Sequence, residues 1–154
     1  MMNNWKSFFA ALMICAVPLA AAMAEAPSKD DVTARVKGAI AYYKANGRDK
    51  ALAELNKKEG QFATGEDYVD VHDLNGVCVA HPVTPALVGV NRLEQADPSG
   101  KMVYKEMVAA SKAKPSGWIE YMRKNPVDGK IEKKVAYWEL FDGLIFKAGT
   151  YEAK

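Results

Sequence analysis

Cysteine is nearly absent from this chain, at two residues in 154, and one of them, Cys15, falls in an apolar N-terminal run. Once that run is removed Cys78 stands alone, so no intramolecular disulfide is open to the mature chain. Its plain reading is a small buried strand hydrophobe. Histidine is equally scarce, at two residues, His72 and His81. A Ser-His-Asp or zinc site therefore has few candidates, and Gly-x-Ser-x-Gly, His-Glu-x-x-His and Cys-x-x-Cys-His are all missing. An exported hydrolase would need a nucleophile that no motif supplies, so neither enzymatic activity nor a cofactor is expected. Asp70-x-His72-Asp73 comes nearest to a metal set, but strand alternation points Asp70 and His72 one way and Asp73 the other, and no metal is expected there. Charge of one sign is lacking too, with 21 Lys and Arg against 19 Asp and Glu. Lys57-Lys58 and Lys133-Lys134 are pairs and not patches, which argues against nucleic acid and against an electrostatic membrane anchor.

Long apolar runs are confined to the N-terminus. Lys6 precedes an apolar stretch from Phe8 to Ala22, and Ala22-Met23-Ala24 supplies the small-x-small pattern of a signal peptidase site. Residues 1–24 are expected to be a cleaved signal peptide and 25–154 one mature domain in the periplasm. Cleavage after Ala26 would place Pro27 beside the scissile bond. A lipoprotein reading of Leu12-Met-Ile-Cys15 meets bulky Met13 and Ile14 where small residues belong. No other run approaches the ~20 apolar residues of a membrane span, so the mature chain is expected to be soluble.

What remains is patterned as an α+β domain. Val32, Val36, Ile40 and Tyr43 recur at helical spacing after Asp30-Asp31, and Asn46-Gly47 stops the helix. A shorter helix is expected over 49–57 with Leu52 and Leu55 inward. A third, over 101–112, carries Val103, Met107 and Val108 and ends before Pro115. Strands are expected over 67–73, 77–81, 118–122, 133–140 and 144–151. Asn75-Gly76, Asp128-Gly129 and Asp142-Gly143 are turn pairs between them, the first suited to a type I′ turn. One helix interrupts a series of hairpins, which gives an antiparallel five-stranded sheet in an α+β arrangement.

The run Tyr68-Val-Asp-Val-His-Asp-Leu-Asn-Gly-Val-Cys-Val-Ala-His-Pro82 is a complete hairpin, with His81 placed at the sheet rim where Pro82 ends the ladder. Its pattern, Tyr-x-x-x-x-Asp-x-x-Gly-x-x-x-x-His-Pro, resembles the core hairpin of the single Cache domain, an extracytoplasmic small-ligand sensor. The resemblance continues in order through Val88-Gly89-x-Asn91, Asp97-Pro-x-Gly100, Gly117-Trp-x-x-Tyr121, Lys134-x-x-Tyr137 and Gly149-x-Tyr151, covering the chain from Asp30 to Tyr151. It implies a PAS-like sheet with the long N-terminal helix on one face. On the other face, the connection from Pro82 to Gly117 would cover a ligand pocket.

A pocket for a small organic anion needs one or two cationic or polar donors and an apolar wall. Lys134 offers the charge, Tyr121 and Tyr137 hydroxyl donors, Trp118 an indole wall and His81 a further donor. Each also has a bland reading: Trp118 and Tyr121 as core or rim aromatics, Lys134 as a solvated strand lysine, His81 as a hairpin cap. The resemblance places ligand contacts on these strands and on the covering loop. Parity forbids Trp118 and Tyr121, or Lys134 and Tyr137, from sharing a face of a regular strand, so Lys133 stands as the substitute for Lys134. Lys147 occupies the last strand where the family usually has a small residue, and would either narrow the pocket or contribute to it. The expected function is binding of a short carboxylate such as acetate, propionate, pyruvate or lactate. A receptor, kinase or transporter partner would pass the signal on, and a homodimer is possible. The other reading is an interaction protein with a vestigial pocket that docks or dimerises through its N-terminal helix.

Overall fold

A computed structural model describes residues 26–125 and 128–151. The expected signal peptide lies outside the described residues. Helix α1, Lys29–Asn46, begins where Ser28 and Asp31 cap each other. Ser28 Oγ accepts from the Asp31 N–H at 3.2 Å and Asp31 accepts from the Ser28 N–H at 3.0 Å, a reciprocal capping box. Val32, Val36, Ala39, Ile40 and Tyr43 form its buried stripe. Gly47, at φ +81°, ends the helix and donates its N–H to the Tyr43 carbonyl at 2.9 Å. Helix α2, Arg48–Leu55, follows with Ala51 and Leu55 buried.

Strands β1, Ala63–Thr64, and β2, Asp67–Tyr68, form a small ladder of their own that the sequence pattern does not signal. It splits the expected strand over 67–73, because the Val69 N–H bonds to the Phe62 carbonyl at 3.1 Å instead of entering the main sheet. The main sheet contains β3, Asp70–Asp73; β4, Cys78–Ala80; β5, Ser116–Lys124; β6, Ile131–Phe141; and β7, Leu144–Tyr151. Its order is β4-β3-β7-β6-β5, antiparallel throughout, with the last strand at the centre. Helix α3, Val103–Ser111, stands between β4 and β5 in the chain.

The turns correct one expectation. Asp142-Gly143 places both residues at positive φ, +49° and +71°, as a type I′ turn requires. At the β3–β4 hairpin only Gly76 is left-handed, at φ +77°. Asp73 decides this: its Oδ1 accepts from the Asn75 N–H at 2.9 Å and the Val77 N–H at 2.8 Å, so the loop closes on that carboxylate.

Helix α1 packs on one sheet face, against Val71, Ala80, Tyr137, Leu144, Phe146 and Ala148. Helix α3 covers the other, where Val103, Tyr104, Met107 and Val108 meet Ile119, Tyr121, Ala136, Trp138 and Ile145. Each fully buried valine, leucine, isoleucine, phenylalanine or methionine among them contributes roughly 1.5–3 kcal/mol by leaving water. Where β6 and β7 pass closest, Gly149 opposes Ala136, and a Cβ there would lie 2.8 Å from the Val135 oxygen and 2.9 Å from the Ala136 Cβ. Gly149→Ala is expected to cost about 1–3 kcal/mol by overpacking. A urea melt reads this as a lower midpoint at unchanged slope, and an unmoved midpoint would mean the strands part freely at this point.

Both sheet edges are covered. Along β4 the Cys78 N–H donates to the Val90 carbonyl at 3.0 Å and the Gly89 N–H to the Cys78 carbonyl at 2.8 Å. On β5 the Met122 N–H donates to Asp97 Oδ2 at 2.7 Å, and Lys101 Nζ donates to the Glu120 carbonyl at 2.8 Å. Edge groups left open invite another chain to pair.

Candidate functional site

Strand alternation decides which polar side chains meet beneath α3. The β5–β6 register pairs Tyr121 with Lys134, and the β6–β7 register pairs Lys134 with Tyr151. The same face holds Arg123 on β5, Lys147 on β7, and Asp70 and His72 on β3, since Asp70 pairs with Lys147. Tyr68 and His81, whose rings lie 5.0 Å apart, complete one end of it.

The centre of this face is a buried ion pair. Lys147 Nζ lies 3.1 Å from Asp70 Oδ1 and donates to the Tyr121 hydroxyl at 3.2 Å. Burial by itself would raise the Asp70 carboxyl, but the Lys147 ammonium overrides it and holds the group well below the usual carboxylate range. Burial likewise opposes the charge on Lys147, and Asp70 with the surrounding tyrosines reverses the effect and raises its pKa. His72 Nδ1 is 3.3 Å from Asp70 Oδ2, within ion-pair distance but misaligned, and neither His72 nitrogen has a hydrogen-bond partner among the described residues. Burial draws the His72 pKa down to about 3 against the pull of Asp70, so the ring is neutral. His81 is neutral for the same reason, drawn down to about 4 by burial, and its Nδ1 accepts the Thr84 N–H at 3.0 Å.

Beside this cluster opens a cavity of ≈ 140 Å³ whose wall includes Arg92, Gln95, Asp97, Tyr104, Tyr121 and Arg123. Its carboxylate and side-chain amide oxygens are already engaged. Asp97 Oδ1 accepts from the Ser99 N–H, the Ser99 hydroxyl and the Lys101 N–H, and its Oδ2 accepts from the Met122 N–H. Gln95 Oε1 accepts from Arg92 Nε at 2.6 Å. Donors, in contrast, are left over. Arg92 Nη1 donates to the Tyr104 hydroxyl and Lys147 to the Tyr121 hydroxyl, so both phenol protons remain to be given. Arg123 has no hydrogen bond or ion pair among the described residues. The wall suits a ligand that only accepts.

The sequence-derived set divides between the two faces. Tyr121, Lys134 and His81 lie beneath α3. Trp118 and Tyr137 pair across β5 and β6 on the opposite face, their rings 5.4 Å apart. Trp118 is 40% exposed with the Lys29 ammonium over it, and the Tyr137 hydroxyl donates to Glu139 at 2.8 Å. Of the five, Tyr121 alone lines the cavity; Lys134 and His81 lie on the same sheet face outside its wall, and Trp118 and Tyr137 on the other face. Lys133 points outward and pairs with Glu120 at 2.8 Å. Lys134 is only 3% exposed, not a solvated lysine; its ammonium lies over Tyr68 at 5.0 Å and Tyr151 at 4.7 Å, and burial draws its pKa down. His81 differs from the expected rim position in being 1% exposed, because the chain folds back at Pro82 and brings Thr84 onto its ring. Cys78 is a buried strand thiol pushed up to about 11 by burial.

Sequence reasoning passed over Arg92, Tyr104, Arg123 and the Asp70–Lys147 pair. Arg123 shares the parity of Tyr121, and Tyr104 lies one helical turn before Val108, so both had a signal. Arg92 sits in an irregular connection and had none.

The chain resembles proteins of known architecture. It is 31% identical over 88 residues to the methyl-accepting chemotaxis protein McpP of Pseudomonas putida, covering 56% of this chain and 16% of that receptor. The chain thus spans a minor part of that relative's length. A solved Cache chemosensory domain, described for its recognition of carboxylic acids, matches at TM-score 0.62 and 28% identity, over 80% of this chain and 88% of that one. A methyl-accepting chemotaxis protein from Vibrio parahaemolyticus shares the fold at TM-score 0.67 and 22% identity, over 80% of this chain and 87% of that one. The model of the single Cache domain 2 family matches residues 29–145, which takes in α1, the whole β3–β4 hairpin and the cavity wall. The chain belongs to that family of sensor domains.

Proposed function

We propose that this domain binds a short carboxylate of the acetate, propionate, pyruvate or lactate type, as the ligand-sensing part of an extracytoplasmic system. The observation that carries the reading is the cavity wall, in which the acceptors are internally bonded while two phenol protons and Arg123 have none of their own. A carboxylate is an acceptor with up to four lone-pair sites and pairs bidentately with a guanidinium. Size supports the same class: the cavity of ≈ 140 Å³ is close to an engineered one of roughly 150 Å³ that takes benzene, so about six non-hydrogen atoms fit. The likeness to a domain described for carboxylic acid recognition supports it as well.

In this reading Arg123, Arg92 and the Tyr104 and Tyr121 hydroxyls hold the carboxylate. Lys134 and Lys147 add positive potential from behind Tyr121, and His81 braces Tyr68 against Lys134. Trp118 and Tyr137 have no part in it. Signalling falls to a separate receptor, kinase or transporter component, with α1 available for docking or a homodimer. Export follows from the Ala22-Met23-Ala24 pattern, and an intact mass beginning at Glu25 in a periplasmic extract is the expected result.

The test is a thermal-shift screen of the short acids against the matching primary amides and alcohols. At about 100 times its dissociation constant a ligand adds roughly 2.7 kcal/mol, several degrees for a domain of this size. Arg123→Gln is expected to weaken the acid at least about tenfold through loss of a charge–carboxylate interaction of roughly 1.5–3 kcal/mol, and Lys134→Met, which removes a charge outside the cavity wall, to weaken it by less. Equal shifts from acids and amides would remove the carboxylate reading.

A further inference from the structure

Lys147 lies in the central strand, beneath the site and outside the cavity wall. Its ammonium sits between Asp70 Oδ1 at 3.1 Å and the Tyr121 hydroxyl at 3.2 Å, with the Tyr121 and Tyr104 ring centroids 5.2 and 5.5 Å away. An ammonium donates and cannot accept, whereas a phenol does both. At the Tyr121 oxygen the contact therefore uses a lone pair, and the phenol's own proton turns away from the lysine. No acceptor for that proton is found among the described residues. Tyr121 lines the cavity, so the proton is left for whatever the cavity holds.

The alternative open to the phenol shows what the lysine prevents. Asp70 Oδ1 is bonded to the same ammonium, and Asp70 Oδ2 is buried with no hydrogen-bond partner among the described residues, the neutral His72 ring lying 3.3 Å away. A Tyr121 hydroxyl released from Lys147 would donate to this carboxylate, the strongest acceptor at hand. It would then present lone pairs to the cavity and accept from an amide N–H or an alcohol. We propose that Lys147 is the specificity-determining residue of this site: it holds Tyr121 as a donor and so makes the cavity select carboxylates over their neutral isosteres. This rests on the carboxylate reading above. Lys147 acts through Tyr121 and is a positioning residue, not a contact.

The quantity that reports this role is a ratio, because a merely structural contribution weakens acid and amide alike. Dissociation constants for propionate and propionamide are measured by NMR titration, which reaches weak binders, on the parent protein, on Asp70→Asn/Lys147→Met and on Tyr121→Phe. The double variant removes the lysine without leaving Asp70 charged and unpaired, and the amide that replaces the carboxylate keeps an oxygen able to accept the Tyr121 proton. It is expected to bind propionate at least about tenfold more weakly while propionamide holds or gains, so the ratio collapses. Tyr121→Phe is expected to weaken propionate by about tenfold and leave propionamide unchanged. An unchanged ratio in the double variant, or equal weakening of both compounds by Tyr121→Phe, overturns the assignment. Circular dichroism checks folding, and if the double variant does not fold Tyr121→Phe decides alone. A parent that binds none of the short acids overturns the carboxylate reading and this assignment with it, whereas a parent that binds them while the ratio stays fixed overturns only the assignment.

Discussion

Replacing Lys147 alone with methionine is expected to destabilise the domain by about 3–5 kcal/mol, because it leaves the Asp70 carboxylate buried with its cation gone. Asp70 and Lys147 are each 3% exposed, so water cannot take over the lost contact. Adding Asp70→Asn removes the stranded charge and is expected to restore most of that loss, since a pair removed together costs far less than one partner removed. Urea melts of the parent, the two single variants and the double variant close a double-mutant cycle. Losses that simply add would show that the two groups act independently, against the 3.1 Å contact. An intact Lys147→Met variant would show that the carboxyl becomes protonated at little cost.

Acid is expected to unfold this protein earlier than its carboxylates alone would. His72 and His81 are the only histidines in the chain, and burial holds them neutral down to about 3 and about 4, from an ordinary value of 6.5. Above pH 6.5 both rings are neutral whether the chain is folded or not, and neither contributes a pH dependence. As the pH falls below that value the unfolded chain takes up protons that the folded one refuses, so stability is lost. The slope is up to about 1.4 kcal/mol per pH unit for each histidine, several kcal/mol over the window in total. Asp70 acts later: its lowered pKa keeps its contribution intact above the ordinary carboxyl value of 3.8, and that contribution is lost only as the pH falls further. Urea midpoints at pH 7.5 and 4.5 test this, and His81→Gln is expected to remove a sizeable share of the difference. A midpoint that does not move between the two would mean that the imidazoles protonate inside the fold.

The parts of this structure that the sequence made legible are those set by local rules. Val32, Val36, Ile40 and Tyr43 had only one face on which to gather, and Asp142-Gly143 had the residues for its turn. Asn75-Gly76 had them as well, yet Asp73 captured the neighbouring amides and changed the turn, a competition between side chain and backbone that dipeptide preferences do not contain. The site was half legible. Parity correctly separated Trp118 from Tyr121 and Tyr137 from Lys134, but could not say which pair faced α3; that depended on where the helix packs. Lys147 was noticed as out of place, while its ion pair with Asp70 needed β7 to return between β3 and β6. Arg92 had no local signal, since the loop that carries it takes its shape from the sheet edge beneath.

Asp97 lines the cavity and also occupies the Met122 amide on the outer strand. The guard against unwanted strand pairing and the outer wall of the cavity are therefore one side chain. Any displacement of Asp97 that widened the cavity would also release the Met122 amide on the edge strand, so the width of the cavity and the protection of the sheet edge are tied to one another.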